Sequence, residues 1–256
     1  MIYFFAGAHK NGSHFQFYVL EEALRQRSSA YRVEGADIFH ERDLSRARKL
    51  FWELRGTDDL ILCKGHWHRR QEQKLLLGEK NLKVFLIWRD LKDVLISSYH
   101  YKINKFGANY KDFSEFYFKD GGRDLLIHQR LYRRAWSGKP VHETSYEVLV
   151  EDFPTEAARL LAHAGIRDVD LASLEAEIQI GRLRETRGDQ KGVFFREGTT
   201  GQHRSFRFGQ NAQADIDRLL VLDHMALLRE RWIAIARRGV KKASSKLGLA
   251  QGARLC

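Results

Sequence analysis

Lys10-Asn11-Gly12-Ser13-His14 lies between an apolar run, Ile2 to Ala6, and a helical pattern from Ser13 to Arg27. A strand that enters a glycine turn and then a helix leaves unpaired backbone N–H groups at the positive end of a helix dipole. That arrangement receives phosphate-like anions. Ser13 is placed to cap the helix, and Lys10 adds a mobile cation. Gly7 and Gly12 have the separation of a P-loop, G-x-x-x-x-G-K-[ST], but the lysine precedes the second glycine where a P-loop needs it to follow. No convincing metal-binding aspartate follows a buried strand. The turn alone fits an anion site or an ordinary strand-to-helix connection.

Two further segments carry the same kind of chemistry. Leu82-Lys83-Val84-Phe85-Leu86-Ile87-Trp88 is a continuous apolar run, as in a strand buried on both faces. Arg89 stands at its end, and Ser97 follows about two helical turns along a helical pattern that starts at Leu91. Asp59-Leu60-Ile61-Leu62-Cys63-Lys64 reads as another buried strand, which runs into Lys64-Gly65-His66-Trp67. An imidazole just past a strand end titrates near neutral pH and can serve as a general base, so His66 is the candidate. The chain has 11 histidines, so placement decides. His66 with His68 also forms a metal-type pair, without further ligands at convincing spacing.

Taken together, these segments resemble the PAPS-dependent sulfotransferases. His9-Lys10-Asn11-Gly12-Ser13-His14-Phe15 is similar to the family's phosphosulfate loop, P-K-S-G-T-T-W. Residues 89–100 are similar to its 3′-phosphate segment, R-N-P-K-D-V-x-V-S-Y-Y-H. Val193-Phe194-Phe195-Arg196-Glu197-Gly198 and the six residues after it resemble F-x-R-K-G-x-x-G-D-W-K. Tyr146 to Pro154 resembles Y-E-D-L-x-x-D-P, and Lys64-Gly65-His66 resembles a K-x-H element. The matches are collinear from residue 4 to residue 204.

The resemblance implies roles. Lys10 contacts the 5′-phosphosulfate and its bridging oxygen, and Asn11, Gly12, Ser13 and His14 donate to the 5′-phosphate. Phe15 stands for the family tryptophan beside adenine, where an aromatic face can stack. Arg89, Ser97 and Arg196 hold the 3′-phosphate, with Glu197 and Gly198 beside it. Tyr146 lies near the nucleotide. His66 is the base, Lys64 neutralises the sulfuryl oxygens, and Ser97 restrains Lys10. The implied co-substrate is PAPS, its product PAP, and no metal is required. Glu197 replaces the family lysine, Gln202-His203 replaces Asp-Trp, and Ser13-His14 replaces two threonines.

The elements that must position these groups follow from hydrophobic periodicity. Strands are expected near 2–6, 59–63, 83–88 and 141–145, and helices near 13–27, 43–54, 91–103 and 123–136. This alternation predicts an α/β fold, a central parallel sheet flanked by helices with ligands at the strands' carboxyl ends. Short helices are expected at 155–164 and 170–181, a long loop at 184–210, and a long final helix capped by Asn211. Residues 216, 219, 220, 227, 228 and 232 would make that helix's apolar face. One domain over 1–240 and a basic tail over 241–256 are expected.

Composition is that of a globular chain, 43% hydrophobic and 30% charged, with no run near the ~20 apolar residues of a membrane span. Only Cys63 and Cys256 occur, which fits a reducing cytoplasm. The 44 Lys and Arg against 33 Asp and Glu give +11, which calls for acidic partners. After Glu230 no acidic residue follows, while Arg231, Arg237, Arg238, Lys241, Lys242, Lys246 and Arg254 do. A solvated helix end accounts for that tail, with weak membrane-surface contact as the alternative.

A P-loop-type kinase and a basic nucleic-acid-binding module are the competing classes. The first lacks its G-K-[ST] order, and the second lacks any recognised motif. The acceptor, a small molecule or glycan, stays open. Its pocket is expected near Trp67–Gln73, Lys102–Lys119 and Arg184–Lys191. Tyr101, Phe106, Tyr110, Phe113, Phe116, Tyr117 and Phe118 suit an apolar acceptor, and Arg69, Arg70 and Lys74 an acidic one.

Overall fold

Ile2–Ala6 forms β1, and every one of its residues is buried. The reason is its place at the centre of a parallel sheet. In the computed structural model, which describes residues 1–34, 42–186 and 199–236, the strands are β1, β2 (Arg32–Val33), β3 (Ile61–Gly65), β4 (Leu82–Trp88) and β5 (His142–Ser145). Their order is β2-β3-β1-β4-β5, all parallel. Phe4 lies opposite Cys63 on one side and Val84 on the other. The chain leaves β1 for β2 at the edge, returns through β3 and then crosses β1 to β4, so the switch in the sheet falls at β1. Ligands bind at such a switch point, outside the strands' carboxyl ends.

Strand side chains alternate between the two faces, and each face has its own core. Tyr3, Phe5, Leu62, Phe85 and Ile87 pack with Val19, Leu20, Leu149 and Leu160. Phe4, Ala6, Ile61, Cys63, Leu86 and Trp88 pack with Phe51, Trp67 and Trp136. The helices are α1 (Ser13–Gln26), α2 (Leu44–Glu53), α3 (Arg70–Gly78), α4 (Leu91–Phe106), α5 (Phe113–Lys119), α6 (Gly122–Trp136), α7 (Tyr146–Glu151), α8 (Phe153–Ala164), α9 (Leu171–Ile178), α10 (Ile180–Thr186) and α11 (Gln210–Val221). A last helix, α12, covers 224–236.

The residues fall into two compact units, Met1–Asn109 with Tyr132–Phe206, and Tyr110–Leu131 with the chain from Arg207. The first holds the sheet. The second is organised around charge: Asp215 accepts from Tyr117, from Arg123 at 2.8 Å and from Arg218 at 2.7 Å. Glu230 pairs with the same two arginines at 2.5 and 2.6 Å. Phe113 packs its ring against Phe208 in this unit.

Four local expectations change. Gly12, not Ser13, is the N-cap residue of α1, at φ 93 with no side-chain cap. Ser13 is the first helical residue. The final helix starts after Gly209, so Asn211 lies inside its first turn and does not cap it. That helix also ends at Val221, and Leu222 and Asp223 separate it from α12. Part of the expected 184–210 loop is helical as far as Thr186. β2 and α3 were not foreseen, because two exposed strand residues and a charged turn of helix give no periodic signal.

Candidate active site

The expected site residues gather past the carboxyl ends of four neighbouring strands. The 7–12 turn follows β1, Lys64 and His66 end β3, Arg89 follows β4, and Tyr146 follows β5. Gly12 owes its place to two constraints. Its φ of 93 suits glycine, and a Cβ there would stand 2.5 Å from Tyr146 Cδ2. Tyr146 thus packs directly against the turn, with the Phe15 ring edge-on at 5.9 Å. Phe15 is buried in the core. Lys10 adopts φ 68, and its Nζ sits 4.1 Å from the centre of the Tyr101 ring.

Asn11 fixes the turn to the neighbouring strand. It is 1% exposed and donates to Ile87 O at 3.2 Å, while its Oδ1 is buried with no partner. Arg89 lays its guanidinium over Tyr146, 4.4 Å from the ring centre, and donates to Thr199 O at 3.2 Å. Its buried Nε has no partner. A buried guanidinium N–H without an acceptor is costly to leave so. A multiply charged phosphate is the kind of group that would satisfy it. Ser97 is half-buried on α4.

On the other side of the turn, Lys64 and His14 pair, with Lys64 Nζ 2.5 and 3.0 Å from the two ring nitrogens. Burial pushes Lys64 down to about 8. Burial first, then the charges of Lys64, Lys10 and His66, holds His14 down at about 3. His14 is therefore a neutral acceptor for the ammonium. The family resemblance gave it a donor's role at the 5′-phosphate; here its ring serves Lys64.

His66 Nδ1 contacts Gly7 O. A carbonyl oxygen only accepts, so that nitrogen bears a proton, and in the neutral ring Nε2 then carries the lone pair that a base requires. The His9 ring lies 3.8 Å from that of His66. Arg42 donates to His66 O at 3.1 Å. Buried Glu72 accepts from His68 N and Arg69 N, both at 2.7 Å. Glu72 and Arg42 hold the His66 loop, and reading the sequence missed both. Glu72 makes only the returning half of a capping pair, to Arg69 N, and an arginine at the N-cap has no acceptor to spell the motif in the sequence.

Asp93 was also missed. It is fully buried and accepts from Gly201 N at 2.8 Å and from His203 N and Nδ1 at 2.9 Å. It anchors the chain at 201–203, two residues beyond Thr199, whose carbonyl Arg89 reaches. Asp90, Asp93 and His203 bring metal-type ligand atoms within 4.8 Å of one another. The carboxylate oxygens that approach His203 are already taken by N–H donors, Asp90 Oδ1 by Lys92 N and Asp93 N. Arg196, Glu197 and Gly198 lie outside the described residues, as does the 241–256 tail.

An open cavity of about 370 Å³ adjoins the pair of catalytic candidates, lined by His14, Phe17, Tyr18, Val33, Glu34, Lys64, Gly65 and His66. Among the described residues, none from the three segments expected to build the acceptor pocket lines it, and 187–191 of the third lie outside them. Trp67 is buried and accepts through its carbonyl from Trp136 Nε1. Arg69, Arg70 and Lys74 are exposed.

Residues 50–220, well over half of the chain, match the sulfotransferase domain family. No curated protein matches the chain as a sequence. Among solved structures, a retinol dehydratase in complex with androsterone and inactive cofactor PAP is similar at a TM-score of 0.61 and 16% identity, covering 86% of this chain and 79% of that one. A mouse sulfotransferase complexed with PAP is similar at 0.60 and 17%, covering 85% and 82%. At such identities the likeness establishes the fold, a parallel sheet flanked by helices. No described helix is long and apolar enough to cross a membrane.

Proposed function

The chain belongs to the sulfotransferase family, and from that premise we propose that it transfers a sulfuryl group from PAPS to the hydroxyl of an apolar small molecule, with His66 as general base. The single observation that carries the reading is the His66 tautomer, set by Gly7 O, at the edge of an apolar cavity shared with Lys64.

Each residue has one task. Arg89 and Ser97, with Arg196, receive the 3′-phosphate, and the buried unpartnered Arg89 Nε supports that fit. The Gly12 turn and the first N–H groups of α1 receive the 5′-phosphate, with Asn11, Ser13 and His14 at the turn. Phe15 and Tyr146 form an aromatic wall beside it. His66 Nε2 takes the acceptor proton as the acceptor oxygen bonds to sulfur. Lys64 neutralises the sulfuryl oxygens. Lys10 meets the charge that builds on the bridging oxygen as its bond to sulfur breaks. Such a loose displacement is catalysed mainly by positioning and charge.

Phe17, Tyr18 and Val33 wall the cavity, which favours an apolar alcohol or phenol over an acidic glycan. Related folds carry androsterone and retinol, both apolar alcohols. Labelled PAPS with a panel of apolar alcohols and acidic glycans tests the assignment. Turnover of an alcohol, lost in His66→Ala while PAP affinity stays within about threefold, supports it. Retention of most of the acceptor-dependent rate by His66→Ala removes His66 as the base.

A further inference from the structure

Lys10 is the residue of the 7–12 turn that meets the leaving group, and its side chain is met from outside the turn. Its backbone takes φ 68, a left-handed conformation that a residue with a side chain rarely adopts. Such a conformation persists where neighbouring groups hold it. At the far end of the side chain stands Tyr101: Lys10 Nζ lies over the ring, 4.1 Å from its centre. An ammonium over the face of a tyrosine is attracted by the ring's quadrupole, more strongly as the pair leaves water. Both residues are half-buried.

The ring is itself held. Tyr101 stands on α4 one turn beyond Ser97. Its hydroxyl accepts from Lys105 Nζ at 2.7 Å, and the Phe106 ring meets it at 5.7 Å between centres and 88° between planes. Lys105 Nζ is 5.2 Å from the ring centre, so the shorter approach to the face belongs to Lys10. Read as a sequence, Tyr101 belonged with the aromatics of an apolar acceptor pocket. It does not line the cavity beside His66. Its contact is with the lysine.

We propose that Tyr101 is a positioning residue for Lys10, its ring holding the ammonium in place for the bridging oxygen that leaves sulfur. The inference rests on the transfer reading above and adds what makes a lysine effective there. Lysine carries its charge on a flexible four-carbon stem. Fixing that charge beforehand removes reorganisation from the step in which the oxygen becomes negative. A carboxylate in the same place would also hold the ammonium, but would neutralise it. A ring face holds it and leaves its charge to act on the oxygen.

A double-mutant cycle in steady-state kinetics, with labelled PAPS and an apolar alcohol, tests it. Tyr101→Leu should lower kcat roughly 5- to 30-fold, as for a cation–π contact between exposed and fully desolvated. The KM values for PAPS and for the alcohol should move by less than about threefold. Tyr101→Phe keeps the ring face and should keep kcat within about twofold. In Lys10→Met, Tyr101→Leu should have no further effect on the residual kcat. A raised KM for the alcohol with equal effects in both backgrounds would make Tyr101 an acceptor contact and overturn the proposal, as would an unchanged or raised kcat in Tyr101→Leu. NMR of the full chain carrying carbon-13 lysine needs no turnover. The Lys10 ε-methylene protons, assigned through Lys10→Met, should be moved upfield by the ring in the wild type and in Tyr101→Phe. No such shift in the wild type overturns the proposal whether or not sulfuryl is transferred. The shift without any transfer from PAPS overturns the transfer reading, and the role of the ring with it.

Discussion

Raising the pH from 7 to 9 should lower kcat/KM for PAPS about tenfold, and the cause is the burial of Lys64. That burial brings its ammonium down from 10.5 to about 8. With a pKa of 8, about a tenth of the enzyme keeps the proton at pH 9, against about 97% for an unburied lysine. The sign is that of desolvation: the charged form is disfavoured, so charge is lost earlier as pH rises. The groups facing Lys64 are His14, held neutral at about 3, and His66 and Glu34 across the shared cavity. His14 stays neutral throughout this window and adds no titration. Since Lys64 acts only when charged, the rate should follow its protonated fraction. The assay is initial rate with labelled PAPS below saturation, from pH 6.5 to 10 at constant ionic strength, with an aliphatic alcohol that does not itself titrate. kcat/KM reports the free enzyme, whereas bound sulfonate would favour the ammonium, so the kcat limb should lie higher. Lys64→Arg keeps its charge throughout and should lose the alkaline limb at a lower overall rate. A flat wild-type profile to pH 10, or the same limb in Lys64→Arg, refutes the reasoning.

Gly12→Ala should weaken PAP binding by roughly 5- to 150-fold by calorimetry, because φ 93 and a Cβ 2.5 Å from Tyr146 strain the turn by about 1–3 kcal/mol; unchanged affinity would separate the turn from the phosphate. Asp93→Asn should raise KM for PAPS more than it lowers kcat, since one of its oxygens becomes an NH₂ facing the N–H of either Gly201 or His203. A matched fall in kcat alone would remove Asp93 as an anchor of the nucleotide site. Acid stability tests a group away from the chemistry. Burial first, then the charges of His163 and Arg159, holds His142 down at about 4, although Glu156 lies 3.4 Å away. Arg159 already neutralises that carboxylate at 2.6 Å. Only the unfolded state then binds the proton between pH 6.5 and 4, so stability falls as pH drops through that window. At pH 5 the loss is about 2 kcal/mol. In His142→Gln the drop in urea midpoint between pH 7 and 5 should shrink correspondingly, and an unchanged drop would assign it elsewhere.

The sequence by itself determined four of the five strands and the strand-end placement of the candidate site. Ile2–Ala6 and Leu82–Trp88 are apolar throughout because central parallel strands are buried on both faces, a requirement local enough to be visible in a few residues. The positions of Lys10, Gly12, His66 and Arg89 followed directly, since each stands at or just past such a run. Only the tertiary structure decided what those side chains touch. The His66 tautomer depends on the carbonyl of Gly7, and the state of Lys64 on burial against His14; both are contacts between chain segments some fifty residues apart. Asp93 looked like an ordinary helix-start carboxylate until the chain at 201–203 closed on it. The final helix failed as a sequence inference for a related reason. Residues 216, 219 and 220 share a face with 227 only if the helix is unbroken, and the break at Leu222–Asp223 separates them; Trp232, about 140° from Leu227 on the same helix, lies off that face whether or not the helix breaks. Periodicity gives the phase within one helix, while the phase between two helices is set by packing.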